Sequence, residues 1–324
     1  MLTRRIYYLL KPIIPWSVRM AMRQWRGRRI QARCKKIWPI DESAGQVPSG
    51  WPGWPEGKQF AFVLTHDVEG PKGCNRVRQL MEVEARLGFR SSLNFVPEGT
   101  YRVPAALREE LTKNGFEVGV HDLNHDGKLY TSHAVFSEKA RRINHYLKEW
   151  DAVGFRSAFM FHNLEWLREI ELLYDASTFD TDPFEPQPDG AGTIFPFFVA
   201  GKNGAKGYVE LPYSLVQDST LFFVLKERSI ETWEKKLDWI AARGGMALLN
   251  AHPDYISFSA ETGAAGEFPV TFYEELLTYV RNRYQGRCWH ALPRTVAEWY
   301  QQHRGESLSK NVPETESKRR AVES

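Results

Sequence analysis

Two histidines four residues apart, His121 and His125, are the first residues of this 324-residue sequence whose spacing suggests chemistry. They follow the strand-like run 115–120, and a helical turn after that strand would let both imidazoles face one point. Neutral imidazole is the commonest protein ligand for a borderline transition metal, so the pair suggests a mononuclear site. Taken alone, such a pair is more often two surface or capping histidines. Four further stretches add reactive side chains at predicted strand ends: residues 65–69, 154–156, 177–182 and 249–252.

In Thr65-His66-Asp67-Val68-Glu69, period-two alternation puts Asp67 and Glu69 on one side and His66 on the other. Two carboxylates on one face repel unless a cation or an arginine lies between them, or one stays protonated. Otherwise they cap the following turn. Arg156 ends a short strand and can hold a carboxylate bidentately. His252 follows the most apolar strand and is placed to donate a proton, its pKa tuned by a carboxylate. Asp175, Asp180 and Asp182 are candidates for that carboxylate, with Asp180 and Asp182 ranked first. Asp122 or Asp126 could orient an imidazole from behind. His162 and His290, near strand ends, could line the cleft without a catalytic role.

The elements that must position these residues alternate. Strand-like runs at 60–65, 91–96, 117–121, 153–157, 176–179, 194–198, 208–211, 246–250 and 288–291 are interleaved with helical patterns. The helices are expected at 77–87, 104–114, 137–150, 164–173, 230–242, 271–283 and 295–302, several ended by glycine. Repeated β-α units of this length predict a parallel sheet with helices outside, open or closed as a barrel. Polar residues gather after the strands at one end, where active sites of such folds lie.

Four regions follow: a basic amphipathic arm over 1–40, a Trp/Pro linker over 41–59, the body over 60–304, and a polar, disordered tail over 305–324. The tryptophans of the linker would cover a barrel end or line a sugar cleft. Residues 1–36 hold eleven Lys or Arg and no carboxylate, leaving a net −8 on the rest against +3 overall. The body lacks a basic stripe with interleaved aromatics, which argues against nucleic acid as a partner. The arm, with Val18, Met22 and Trp25 near Arg19, Arg23 and Arg26, could instead lie on an anionic membrane or pack on a protein surface. Lys11, Pro12 and Pro15 interrupt its apolar run, so it does not read as an export signal, and no run of about 20 apolar residues could span a bilayer. Three separated cysteines imply neither a disulfide framework nor a Cys-x-x-Cys metal motif. The expected location is the cytoplasm, peripheral at the inner face of the membrane.

Thr65-His66-Asp67-Val68-Glu69-Gly70-Pro71, His121-x-x-x-His125, Gly154-Phe155-Arg156 and Leu249-Asn250-Ala251-His252-Pro253, in this order, resemble the polysaccharide deacetylases of the NodB-homology type. The resemblance covers about residues 60–300. It implies a distorted (β/α) barrel of about seven parallel strands and a divalent metal, most often zinc, with cobalt or nickel as alternatives. It further implies removal of acetyl groups from N-acetylated or O-acetylated sugars of a polysaccharide. The basic arm together with the lack of a readable export signal points to a lipid-linked or nucleotide-linked glycan precursor inside the cell. Carried over by position, Asp67 is the base, His121 and His125 are metal ligands, Arg156 orients the base and His252 is the acid. Two positions depart from the pattern. Val68 stands where many members have a metal-binding aspartate, which points to Glu69 as third ligand. Ser157-Ala158-Phe159 replaces a proline and an aromatic after the arginine, affecting the floor of the substrate groove. Two competing functions share the fold: hydrolysis of a small non-sugar amide, and a catalytically silent glycan-binding protein.

Overall fold

The computed structural model describes residues 16–202, 206–259 and 266–304; the polar tail falls outside them, as does the first part of the basic arm. Strand β1 (Phe60–Val68) is buried along its whole length, as a nearly continuous apolar run should be. It pairs in parallel with β8 (Met246–Ala251), from Ala61↔Met246 to His66↔Ala251. Its other edge is shared by β11 (Cys288–His290) at the start and β2 (Ser92–Phe95) at the end. The sheet continues in parallel through β3 (Glu117–His121), β4 (Gly154–Arg156), β5 (Tyr174–Asp175) and β7 (Tyr208–Glu210). β6 (Phe197–Val199) is antiparallel at its edge. Backbone N–H groups of Ser214 and Leu215 donate to the Leu248 carbonyl, drawing the far side of the curled sheet back to β8. The result is the distorted (β/α) barrel expected from the sequence. A short parallel pair, β9 (Ile256–Ser257) and β10 (Phe268–Pro269), lies apart.

The helices are α1 (Trp16–Arg33), α2 (Pro71–Leu87), α3 (Ala105–Lys113), α4 (His133–Glu149), α5 (Glu231–Arg243), α6 (Val270–Tyr284) and α7 (Pro293–His303). α2 opens with Pro71, whose missing N–H costs nothing there. It closes on Gly88 at φ +86°, where a Cβ would be strained. The alternation along β1 sorts two cores. Phe60, Phe62 and Leu64 face α2, α5 and α6, while Ala61 and Val63 face the barrel interior with Met246 and Leu248.

Three local expectations fail. Residues 164–173 form only a single 3₁₀ turn, Trp166–Glu169, because Leu173 N–H already bonds to Val153 and joins the sheet. The strand expected at 176–179 is Tyr174–Asp175, with Phe179 reduced to an isolated bridge to Tyr213. A seven-residue π-helix, Ser219–Leu225, was not foreseen.

The linker tryptophans close the barrel end opposite the site. Trp54 Nε1 donates to the Gly244 carbonyl at 2.8 Å, and Trp51 and Trp54 pack on Trp299. α1 lies on the π-helix: Gln24 donates to the Phe223 carbonyl at 3.0 Å, and Gly27 meets Val224 so closely that a Cβ would collide. No described helix is long and apolar enough to cross a membrane.

Candidate active site

Alternation carries the inward positions of each strand to the C-terminal mouth of the barrel. On β1 the inward series 61, 63 continues to Thr65 and Asp67; on β8 the series 246, 248 continues to Asn250 and, just past the strand, His252. Asn94 lies next to last in the neighbouring strand β2, and His121 and Arg156 end β3 and β4, where they are register partners. His66 falls on the outward series and bonds to Glu84 of α2 at 2.6 Å, beside Tyr273 of α6.

Asp67 is held on both oxygens. Asn94 donates to Oδ1 at 3.0 Å, Arg156 lies 3.3 Å from the same atom, and Asn250 donates to Oδ2 at 2.8 Å. The fully buried Arg156 also donates to the Thr65 hydroxyl and the Ala176 carbonyl, which fixes its fork. Burial pushes the Asp67 carboxyl up, but the charges of His121, Arg156 and His252 outweigh it and hold the group well below the ordinary range. Asp67 is therefore an ionised, oriented carboxylate.

Glu69, His121 and His125 place one ligand atom each within 4.8 Å of one another. The Nε2 atoms of both histidines are buried and make no hydrogen bond. His121 Nδ1 lies 3.0 Å from the Arg156 carbonyl, which must accept, so Nε2 keeps its lone pair toward the centre. Burial lowers the His121 pKa, which favours the neutral ring, the form that binds metal. Glu69 Oε1 sits 3.1 Å from His125 Nε2, while Tyr255 donates to Oε2 at 2.7 Å. That second bond fixes the direction of the Glu69 side chain. Burial would raise Glu69, yet His125 and His252 hold it well below its usual value. Two buried imidazole nitrogens converging on one carboxylate fit a borderline divalent ion such as zinc, cobalt or nickel.

The turn that brings His121 and His125 together is not helical. Asp122 and His125 adopt φ +53°, a left-handed conformation uncommon outside glycine. Asp122 and Asp126 do not orient an imidazole: Asp122 accepts from Leu123 N–H and Asp126 faces Lys139. His162 bonds to backbone carbonyls beside the rim, and His290 lies at the other end of β1 against Phe62.

The largest correction concerns the partner of His252. Asp180 is ion-paired to the buried Lys236 at 2.7 Å, and Asp182 accepts from Tyr213 and from Phe184 N–H. Neither touches His252. Asp218 does so twice, accepting from the backbone N–H and from ring Nδ1, each at 2.7 Å. Burial would lower the His252 pKa, but the Asp218 carboxylate outweighs it and raises it to about 10. Nε2, 3.9 Å from Glu69 Oε1, is left to carry the mobile proton toward the centre.

Asp67, Glu69, His121, His125, Asn250 and His252 open into one cavity of about 1020 Å³. Phe159, itself at φ +59°, puts an aromatic wall against His125 at 4.8 Å between centroids, where the sequence lacked the expected pattern. A divalent site flanked by an ionised carboxylate and a protonated imidazole can carry out hydrolysis of an amide or ester.

No family model matches the sequence, and no curated protein matches it significantly. Solved structures do. A candidate polysaccharide deacetylase from Mycobacterium smegmatis superposes with a TM-score of 0.59 at 19% identity, covering 78% of this chain and 93% of that one. The fold is that of the polysaccharide deacetylases. Peptidoglycan deacetylase PdaC from Bacillus subtilis aligns more loosely, at TM-score 0.47 and 14% identity over 78% of this chain and 96% of its own. A candidate polysaccharide deacetylase involved in O-antigen biosynthesis, from Bordetella bronchiseptica, aligns at TM-score 0.43 and 18% identity, covering 80% and 94%.

On this deacetylase fold, four contributors escaped the sequence reading: Asn94, Asp218, Asp254 and Tyr255. Asp254 accepts from Glu69 N–H at 2.9 Å and Gly73 N–H at 3.0 Å, pinning the loop that carries Glu69. Gly73 leaves room for that carboxylate, since a Cβ would overlap it. The position of Asp254 and Tyr255 directly after His252-Pro253 was the available signal for these two.

Proposed function

We propose that this chain is a metal-dependent hydrolase that removes acetyl groups from N-acetylated sugars of a polysaccharide or its lipid-linked precursor. The observation that carries the reading is the convergence of the buried Nε2 atoms of His121 and His125 with a Glu69 carboxylate oxygen, all within 4.8 Å of one another, set between Asp67 and His252. Glu69, His121 and His125 would hold a divalent ion, which supplies Lewis-acid polarisation of the acetyl carbonyl and a more acidic water. Asp67, ionised and fixed by Asn94, Asn250 and Arg156, accepts the proton of the attacking water. His252, kept as imidazolium by Asp218, gives its proton to the leaving nitrogen. An amine is a poor leaving group, so that transfer supplies much of the acceleration. Phe159 offers an apolar face for a sugar ring or acetyl methyl.

The location we favour is the cytoplasm, with the basic arm over residues 1–36 in peripheral contact with an anionic inner membrane surface.

The deciding experiment is elemental analysis of the wild type and His125→Ala, both purified without chelators, followed by acetate release from N-acetylated oligosaccharides. Near-stoichiometric metal in the wild type, lost in the variant along with acetate release, is the expected result. Absence of metal in both after supplementation with zinc, cobalt or nickel would overturn the reading in favour of a silent glycan-binding protein.

A further inference from the structure

The cavity above the catalytic centre is not walled by the barrel alone. α1 forms its outer side, so Arg23 and Arg26 line the same space as Glu69, His125 and His252. Both arginines are exposed, and no carboxylate among the described residues lies within ion-pairing distance of either. Glu185, the cavity carboxyl whose charge Arg23 senses, is already bound by Tyr213 at 2.5 Å and Gln217 at 2.6 Å. Burial and the nearby Asp182 push it up to about 8, so at neutral pH it is mostly uncharged and leaves Arg23 unneutralised.

The apolar residues of α1 show the same pattern. Val18, Met22 and Trp25 are among the few large exposed hydrophobics, at 47%, 52% and 52%, and all three also line this cavity. Their spacing of four and three residues places them on one stripe of the helix. An apolar stripe turned toward an active-site cavity, interleaved with unpaired guanidinium groups, is complementary to a molecule both anionic and greasy. At about 1020 Å³ the space is at the upper end of small-molecule sites, larger than one acetylated sugar needs.

The geometry points to α1 as a substrate subsite: Arg23 and Arg26 take a phosphate, Val18, Met22 and Trp25 take the alkyl chain attached to it, and the substrate is a saccharide carried on a lipid phosphate. The saccharide half rests on the hydrolase reading above; the phosphate-and-chain half does not need it.

The test uses full-length protein and isothermal calorimetry with dodecyl phosphate below its micelle concentration, inorganic phosphate and uridine diphosphate, each with and without chelator. Saturable dodecyl phosphate binding, weakened about tenfold or more by Arg23→Gln/Arg26→Gln and about fivefold by Trp25→Ala, supports the subsite. Trp25→Ala should leave the weak inorganic phosphate affinity unchanged. No binding, or binding indifferent to all three substitutions, overturns it. Uridine diphosphate binding as tightly as dodecyl phosphate, with no effect of Trp25→Ala, overturns the lipid assignment and makes the substrate nucleotide-linked. The two readings fail separately. Dodecyl phosphate binding without metal or acetate release removes the hydrolase and keeps the subsite. Acetate release from neutral oligosaccharides with no dodecyl phosphate binding removes the subsite and keeps the hydrolase.

Discussion

Asp218 accepts from both the ring Nδ1 and the backbone N–H of His252, each at 2.7 Å, and its Oδ1 also caps the π-helix through Ser219 N–H. One carboxylate therefore sets the charge and orientation of the His252 imidazole and anchors the element on which α1 lies. Because this contact raises the His252 pKa above its ordinary value, removing the charge lowers it. Asp218→Asn should move the alkaline limb of the kcat–pH profile to lower pH and reduce kcat by roughly 10²-fold or more. A limb that stays in place between pH 7 and 10 would remove His252 from the role of acid.

Arg156 acts on the opposite member of the pair. It is fully buried, and its guanidinium holds Asp67 ionised. Arg156→Met leaves the carboxylate with its two asparagine donors but without its fixed positive neighbour, so the Asp67 pKa rises. The acidic limb of kcat/KM should shift to higher pH, and chemical denaturation should show a loss of about 3–5 kcal/mol. Destabilisation with an unmoved acidic limb would mean that Arg156 is structural only.

Tyr255 donates to Glu69 Oε2 and so sets where that side chain can point. Tyr255→Phe keeps the ring against His252 and deletes only the hydroxyl. Competition against a chromogenic chelator should show metal affinity falling by about tenfold, within the usual range for loss of a ligand's supporting hydrogen bond. Unchanged affinity would indicate that Glu69 is not a ligand.

What the sequence made legible follows from the range over which each signal acts. β1 and β8 are apolar runs closed by polar residues, so period-two alternation suffices to send Asp67 inward and His66 outward. Glycines at 88 and 244 mark helix ends because the left-handed conformation there is a local requirement. The partner of His252 carries no such mark. Asp218 lies 34 residues before it, and Asp180, the more suggestive candidate, is taken by Lys236 of α5, a pairing that alternation cannot reveal. The His121–His125 turn was misjudged for a related reason: its left-handed residues are an aspartate and a histidine, so no glycine announced them. α1 was legible as a basic amphipathic helix, but its position over the centre depends on Gly27 meeting Val224, a tertiary contact.

That contact supplies the last prediction. Gly27 is buried in the middle of α1, and even a single added carbon would collide with Val224 Cγ1. Valine adds three, and because neither the helix nor the β-branched Val224 can yield easily, α1 should be forced off the π-helix. The candidate metal ligands lie just after β1 (Glu69) and at and after the end of β3 (His121, His125), so metal content should stay at the wild-type level in Gly27→Val. The arginines of α1, no longer docked, should be cut by trypsin at lower enzyme concentrations. Dodecyl phosphate binding should weaken at least as much as in the arginine double variant, because the whole wall is displaced rather than two of its charges. Wild-type trypsin resistance together with wild-type binding would show that α1 is not held by this contact and that the cavity does not depend on it.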